Sequence, residues 1–185
     1  LETLNNDRNN FLEIGCGNGF VLDEALNAGF RNIKGIEPSQ DAISFASNRV
    51  KKYIYHGIFD SSQIEENHYD VVFVAMIIEH VPDSNQFLDN IYKTLKPGGI
   101  IICICHDERH FLAKILKNKH PIINDEHVAV FNKKALELIF KNNKFTNIKI
   151  NNLKNFYSIS YWLKMMPIPK IFKRTLNNKF SKFLK

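Results

Sequence analysis

Short apolar runs alternate with stretches of helical periodicity along most of the chain. The apolar runs, rich in Ile, Val and aromatic residues, predict strands over 11–14 (FLEI), 32–36 (NIKGI), 52–57 (KYIYHG), 69–76 (YDVVFVAM), 100–105 (IIICIC) and 145–150 (FTNIKI). Apolar residues spaced three or four positions apart predict helices over 19–28, 38–50, 83–95 and 132–143. Strands and helices therefore alternate from residue 11 to residue 150.

This alternation predicts an α/β fold, because parallel neighbours in a sheet need a crossover connection and a helix provides it. We expect a Rossmann-like, doubly wound and mostly parallel sheet of about six to seven strands, with helices on both faces. The runs at 69–76 and 100–105 are almost wholly apolar, which is typical of strands covered on both faces.

The loop after the first predicted strand holds glycines at three alternate positions, 15, 17 and 19. In an open α/β sheet, ligands bind beyond the carboxyl ends of the strands, so this loop is the expected ligand site. Its spacing differs from the G-x-G-x-x-G of dinucleotide sites, and the G-K-[ST] of a P-loop is absent. Glu13 would repel a phosphate, whereas it suits a ligand that carries an ammonium group.

The stretch E-I-G-C-G-N-G (13–19) resembles the first motif of the class I S-adenosylmethionine-dependent methyltransferases. In that family the acid and the glycine backbone hold the methionine end of the cofactor. The resemblance implies this role for Glu13, Gly15, Gly17 and Gly19, and for the backbone of Cys16. It also places Glu37 at the ribose, where two carboxylate oxygens match two vicinal hydroxyls. A dinucleotide site would have an acid there too, so Glu37 alone does not discriminate.

Residues 70–83 and 95–103 resemble the family's fourth-strand segment and the turn into its fifth strand, so the likeness extends over 11–105. The resemblance adds these residues to the cofactor site: Pro38, Ile58, Phe59, Ala75 and Met76. Ile58 and Phe59 would flank the adenine ring. The family often has an acid directly after the glycine of the third strand, whereas here the acid comes only at Asp60. The implied cofactor is S-adenosylmethionine, with S-adenosylhomocysteine as its product.

Methyl transfer to a hydroxyl needs an aligned nucleophile and a group that removes its proton. Histidine suits this role because its unperturbed pKa lies near neutrality. His80 follows the fourth strand and His106 the fifth, which makes both catalytic candidates, ahead of His127. The alternatives are that these histidines have structural roles in loops, or that catalysis relies on proximity alone.

The acceptor implied by the resemblance is a small molecule or a glycan precursor, methylated on oxygen, as in similar enzymes associated with bacterial surface polysaccharides. Residues 106–131 would cover the acceptor side of the site. One alternative is a quinone or lipid acceptor at a membrane. Another is a protein that binds S-adenosylmethionine without catalysis.

The end of the chain differs in charge from the rest. Residues 138–185 carry 11 basic and no acidic side chains, whereas residues 1–137 carry 14 basic and 19 acidic ones. We expect a methyltransferase domain over 1–153 and a basic, aromatic helical extension over 154–185. Within it, 155–185 has a pattern typical of three roles: packing or homodimerisation first, contact with an anionic membrane second, and nucleic acid last.

The remaining features concern the compartment. Three cysteines form no disulfide framework and have no ligand spacing for a metal, so we expect reduced thiols and no metal site. No window of 18 apolar residues predicts a membrane-spanning helix. We expect a cytoplasmic protein, with peripheral contact to the inner face of the membrane as an alternative. Since Leu1 is not Met and the glycine motif follows closely, we expect further residues to precede it.

Overall fold

The computed structural model describes residues 9–60, 64–106 and 128–153 of the chain. Its strands are β1 (Asn10–Ile14), β2 (Asn32–Glu37), β3 (Ile54–His56), β4 (Tyr69–Ala75) and β5 (Leu95–Ile104). Its helices are α1 (Phe20–Asn27), α2 (Gln40–Ser44), α3 (Asn48–Lys51), α4 (Ser84–Thr94) and α5 (Lys133–Asn142). Each element overlaps a segment that the sequence predicts to have that structure.

The five strands form one parallel sheet in the order β3-β2-β1-β4-β5. The strand order reverses between β1 and β4, which pair from Phe11 opposite Val71 to Ile14 opposite Val74. The predicted doubly wound α/β fold is confirmed. In such a sheet a ligand binds beyond the carboxyl ends of the strands at this reversal.

Local sequence sets where the helices begin and end. Helix α1 stops before Gly29, whose φ of 93° lies in the left-handed region that glycine adopts at low cost. Helix α4 follows Asp83, whose carboxylate accepts two backbone N–H groups of the first turn. The helix predicted over 38–50 is instead divided into α2 and α3, because Ser47 has an extended backbone with ψ 149°.

Apolar side chains form separate clusters on the two faces of the sheet. The cluster on the face of α1 and α3 contains Phe11, Cys16, Leu22, Ala25, Phe30, Ile33, Val50 and Val71. The cluster on the face of α4 and α5 includes Leu12, Ile14, Val72, Val74, Leu88, Ile91 and Phe140. Successive residues of β1 and β4 therefore contribute to opposite clusters, and burial of each such side chain contributes about 1.5–3 kcal/mol.

The described residues contribute five strands, fewer than the six to seven predicted for the chain. Residues 145–150, predicted as a strand, form none. Lys144 and Asn147 have φ values of 69° and 55°, which interrupt the extended backbone that a strand needs. Phe145 instead packs against the rings of Phe140 and Tyr92.

The chain divides into two compact units, Leu1–Ile148 and Lys149–Lys185. The predicted extension over 154–185 lies outside the described residues and remains a prediction. The same holds for most of the predicted acceptor-side cover (106–131), since 107–127 are not described. Within the described ranges, no helix is long and apolar enough to cross a membrane.

Candidate cofactor and acceptor site

The glycine loop (residues 15–19) lies at the carboxyl end of β1 and is fixed to β2 by backbone hydrogen bonds. The N–H groups of Gly15 and Cys16 donate to the carbonyl of Ile36 at 2.8 and 3.1 Å. The φ values of Gly15, Gly17 and Gly19 are 74°, 52° and 73°, in the left-handed region that favours glycine. The course of the backbone therefore favours glycine at all three positions.

The surroundings of these glycines differ. A Cβ added to Gly15 would collide with Ile77, and one added to Gly19 would lie 2.9 Å from Val50 Cγ2. A Cβ added to Gly17 would meet no described atom within 4 Å. The loop is thus packed at both ends and open at Gly17, where a ligand can approach the backbone.

Glu13 on β1, beside this loop, is a buried carboxyl group with an unsatisfied oxygen. The residue is 4% exposed, and its Oε2 has no hydrogen-bond partner among the described residues. Burial raises the pKa of Glu13 to about 8; a backbone hydrogen bond from Leu22 lowers it, and the charge of Glu37 raises it. The carboxyl is therefore largely protonated at neutral pH, and a cation bound beside it would favour its charged form.

Glu37, at the end of β2, is a buried carboxylate that supports the same loop. Its Oε2 accepts the N–H of Gly17 and its Oε1 the N–H of Ser39, both at 2.8 Å. A carboxylate offers about four lone-pair positions, so these two bonds leave capacity to accept from ligand hydroxyls. Glu13 and Glu37 together favour a ligand that carries both a cation and hydroxyl groups.

Cys16 shapes the loop from within. Its thiol belongs to the cluster on the α1 face, and a Cβ added to Gly35 would lie 2.6 Å from Cys16 Sγ. Burial raises the pKa of Cys16 to about 12, with the charges of Glu13 and Glu37 adding to the effect. The N–H of Cys16 donates to Ile36, and its carbonyl accepts the N–H of Gly19.

The residues that follow β2 and β3 also line the side of the sheet at which the parallel strands end, here called the carboxyl edge. Nε2 of His56 lies 3.0 Å from the carbonyl of Pro38, which ties the two strand ends together. Ile58 is 78% exposed, whereas Phe59 turns inward and packs edge-on against Phe87 with ring centroids 5.7 Å apart. The two residues predicted to flank the adenine ring therefore point in different directions.

The end of β4 packs against the glycine loop and pairs with β5. Met76 has a φ of 55°, a costly conformation for a residue other than glycine. Its N–H donates to the carbonyl of Ile104 at 2.8 Å. Since the next residue, Ile77, packs on Gly15, Ala75 and Met76 lie close to the glycine loop.

Glu79, which the sequence reasoning missed, joins the ends of β4 and β5. It is 2% exposed, and its Oε1 lies 2.8 Å from Nδ1 of His106 and accepts the backbone N–H of His106 at 3.3 Å. Its Oε2 is buried and has no partner within the described part of the chain. The sequence contained one signal for Glu79, because it is a charged residue directly after a long apolar run and before His80. A carboxylate buried at such a position requires polar partners.

The two histidines predicted as catalytic have different surroundings. His106 directly follows β5, and its side chain is 34% exposed and paired with Glu79. His80 is exposed, and its N–H closes a turn onto the carbonyl of Ile77 at 2.9 Å. Both lie at the carboxyl edge of the sheet, while His127 is outside the described residues. No group of three metal-ligating side chains occurs in the part of the chain that the structure describes.

Comparison with known proteins identifies the family. A family model described as a methyltransferase domain matches residues 1–150. This chain belongs to the class I S-adenosylmethionine-dependent methyltransferases. The methyltransferase is 35% identical over 94 residues to the ubiquinone biosynthesis O-methyltransferase of Hydrogenovibrio crunogenus, a match that covers 48% of this chain and 39% of that protein. It therefore spans less than half the length of this curated relative.

Solved methyltransferase structures share the fold. The methyltransferase superposes on an S-adenosylmethionine-dependent methyltransferase from Archaeoglobus fulgidus with a TM-score of 0.63 and 19% identity, over 95% of this chain and 79% of that one. For phosphoethanolamine N-methyltransferase 2 of Haemonchus contortus, in complex with S-adenosyl-L-methionine, the TM-score is 0.62 at 21% identity, over 98% of this chain and 41% of that one. These structures confirm the fold, and the family model confirms the predicted family, whose cofactor is S-adenosylmethionine. The individual site residues stay predictions.

Proposed function

We propose that this methyltransferase binds S-adenosylmethionine at the glycine loop and methylates a hydroxyl of a small molecule or glycan precursor. The observation that carries the proposal is the buried carboxyl of Glu13, whose Oε2 has no described partner, beside the open backbone at Gly17. An unsatisfied buried polar atom is costly, so its presence favours a ligand that completes it. The ammonium group of a methionine moiety is such a ligand.

Residues from the ends of four strands, β1 to β4, would hold the cofactor. When bound, it supplies an electrophilic methyl group and is released as S-adenosylhomocysteine. Glu13 would pair with the ammonium group, and the backbone at Gly17 would contact the methionine end. Glu37 would accept the ribose hydroxyls with the lone pairs that its backbone partners leave. Ile58 would cover the adenine ring, and Met76 would line the pocket from β4.

The acceptor would lie beyond the ends of β4 and β5, which His80 and His106 follow. Alignment of its hydroxyl toward the cofactor would supply much of the rate enhancement. One of the two histidines would accept the hydroxyl proton, a contribution that is typically about 10²–10⁴-fold. The position of both histidines at the carboxyl edge, the side of the sheet that also carries the glycine loop, supports this assignment.

Calorimetric titration with S-adenosylmethionine, S-adenosylhomocysteine and NAD tests the cofactor. We expect both S-adenosyl compounds to bind and NAD not to bind. Binding of NAD alone would overturn the proposal, because the loop would then be a dinucleotide site. Transfer of a tritium-labelled methyl group to hydroxylated sugars, catechols and phenols tests the reaction. Tight cofactor binding without transfer to any of these classes would favour a protein that binds S-adenosylmethionine without catalysis.

A lipophilic acceptor such as a quinone is the second candidate. The similarity to a ubiquinone biosynthesis O-methyltransferase supports it, as does the basic, aromatic composition of residues 155–185. Such a segment favours an anionic membrane surface, so the protein would be cytoplasmic and peripheral to the membrane. Co-sedimentation with anionic vesicles, with and without residues 155–185, tests this. Equal sedimentation of the two forms would contradict it and leave packing or homodimerisation as the role of the segment.

A further inference from the structure

The buried Glu79 is the titratable group at the acceptor edge that the proposed function leaves without a role. We propose that Glu79 is a positioning residue that fixes the ring of His106 so that its Nε2 accepts the proton of the acceptor hydroxyl. This inference rests on the proposed methyl transfer and names the histidine that serves it.

The hydrogen bond between the two side chains sets the tautomer of His106. Glu79 Oε1 lies 2.8 Å from Nδ1, and a carboxylate can only accept, so Nδ1 carries the hydrogen. A neutral imidazole with its hydrogen on Nδ1 has its lone pair on Nε2. His106 is thereby prepared to take a proton at Nε2, and the resulting positive charge would lie next to the Glu79 carboxylate.

A second histidine–carboxylate pair shows why burial matters. Nδ1 of His68 lies 2.7 Å from Glu65 Oε2, but the side chain of Glu65 is 78% exposed. Water competes for an exposed carboxylate, so such pairs fix side-chain orientation weakly. Glu79 is almost wholly buried, so water competes far less for its carboxylate and its hydrogen bond to His106 holds the ring more firmly.

The backbone of Glu79 is also held on a second side. Its carbonyl accepts the N–H groups of Val128 and Ala129 at 2.8 and 3.2 Å. Glu79 therefore joins three parts of the chain: the turn after β4, the end of β5 through His106, and the residues that precede α5. A base supported by such a packed and hydrogen-bonded neighbour is held in one orientation.

The thiols of Cys103 and Cys105 are further titratable groups close to this pair. The pKa of Cys103 is raised by its hydrogen bond with Cys105, by burial and by the charge of Glu79. Cys103 is therefore a neutral thiol beside the carboxylate. His106, by contrast, can carry a positive charge, and its Nδ1 lies 2.8 Å from Glu79 Oε1.

Histidine ¹⁵N spectroscopy of the full chain tests the proposal without an acceptor. In wild type we expect neutral His106 with its hydrogen on Nδ1. Glu79→Gln keeps an acceptor oxygen and should keep this tautomer, whereas Glu79→Leu should move the hydrogen to Nε2. Glu65→Leu is the matched control and should leave His106 unchanged. A hydrogen on Nε2 in wild type, or the wild-type tautomer in Glu79→Leu, would overturn the proposal.

Addition of S-adenosylhomocysteine completes the test, because the proposal places His106 at the acceptor hydroxyl, which must lie next to the transferred methyl group of the cofactor. We expect the resonances of His106 to shift and those of His68, at the opposite edge of the sheet, to stay. Calorimetric binding without a shift of His106 would overturn the role of His106 while the proposed function stands. Absence of binding to the wild type would instead overturn the proposed function, and the tautomer measurement would still report on Glu79. Should Glu79→Leu fail to fold, the spectra of the wild type and of Glu79→Gln still test the proposed tautomer of His106.

Discussion

Carboxyl groups on the two sides of the sheet, where the parallel strands end (the carboxyl edge) and where they begin (the amino edge), are in opposite electrostatic states. At the carboxyl edge Glu13 has an oxygen without a described partner, and its pKa is raised to about 8. At the amino edge Asp70 accepts the N–H groups of Asn9 and Asn10 at 3.1 and 2.8 Å and pairs with Lys96 Nζ at 2.8 Å. Burial by itself would raise the pKa of Asp70, but these partners hold it below its ordinary value.

This difference separates Asp70, whose carboxylate is fully partnered within the fold, from Glu13, which we propose binds the cofactor. The lowered pKa of Asp70 means that its contribution to stability is present above its unfolded pKa and is lost as the pH falls through its folded pKa. The raised pKa of Glu13 has the opposite sign: its contribution is present below the unfolded value near 4.5 and is lost as the pH rises toward about 8. Near neutrality Asp70 at the amino edge therefore stabilises the fold, while Glu13 at the carboxyl edge is largely protonated and would ionise if a cation bound beside it.

The largest expected effect is on cofactor affinity in Glu13→Gln. Loss of a charge-assisted hydrogen bond to the ammonium group should weaken S-adenosylhomocysteine binding about 100-fold at pH 8, as measured by calorimetry. The unliganded variant should also be more stable than wild type above pH 8, since no buried charge forms. Glu13→Lys is less informative, because the site is buried and a folding defect would accompany the loss of binding. Wild-type affinity in Glu13→Gln would show that Glu13 does not contact the ammonium.

Asp70→Asn should act on stability instead. Loss of the ion pair with Lys96, together with weaker bonds to two backbone N–H groups, should lower the free energy of unfolding by about 2 kcal/mol. Urea unfolding at pH 7 measures this change. Affinity for S-adenosylhomocysteine should match that of wild type, and a large loss of affinity would contradict the separation of the two edges.

The pH dependence of binding should follow the ionisation of Glu13. Because the carboxyl is half ionised near pH 8, affinity for S-adenosylhomocysteine should fall about fivefold between pH 8 and pH 7. Binding at pH 7 should release a proton, which titrations in buffers of different ionisation enthalpy detect. The control is Glu13→Gln, in which this dependence should vanish; its persistence would assign the proton to another group.

The smallest effects are expected from two glycines with positive φ and open surroundings, Gly17 and Gly29. Alanine at either position should lower the free energy of unfolding by about 1 kcal/mol, the cost of a left-handed backbone with a Cβ. Only Gly17→Ala, at the carboxyl edge, should also weaken cofactor binding, which calorimetry measures. Equal affinities of the two variants would show that the cofactor does not approach Gly17.

Local patterns predicted much of the fold. The apolar runs at 11–14 and 69–76 are strands because both of their faces meet apolar clusters. Residues 145–150 have a similar pattern but form no strand, because Asn147 adopts a positive φ and the neighbouring Phe145 packs on other aromatic rings. Such a short apolar run is compatible with either outcome, and tertiary packing decides between them.

The sequence by itself determined the glycine loop, the acids near the carboxyl ends of β1 and β2, and the order of strands and helices, since these depend on neighbouring residues. Only the tertiary structure decided that Phe59 turns inward and that Glu79 meets His106, 27 positions further along the chain. It also decided that Glu13 is buried enough to shift its pKa while Asp70 is fully partnered. Pairing and desolvation depend on groups brought together by the sheet, and a linear pattern does not contain that information.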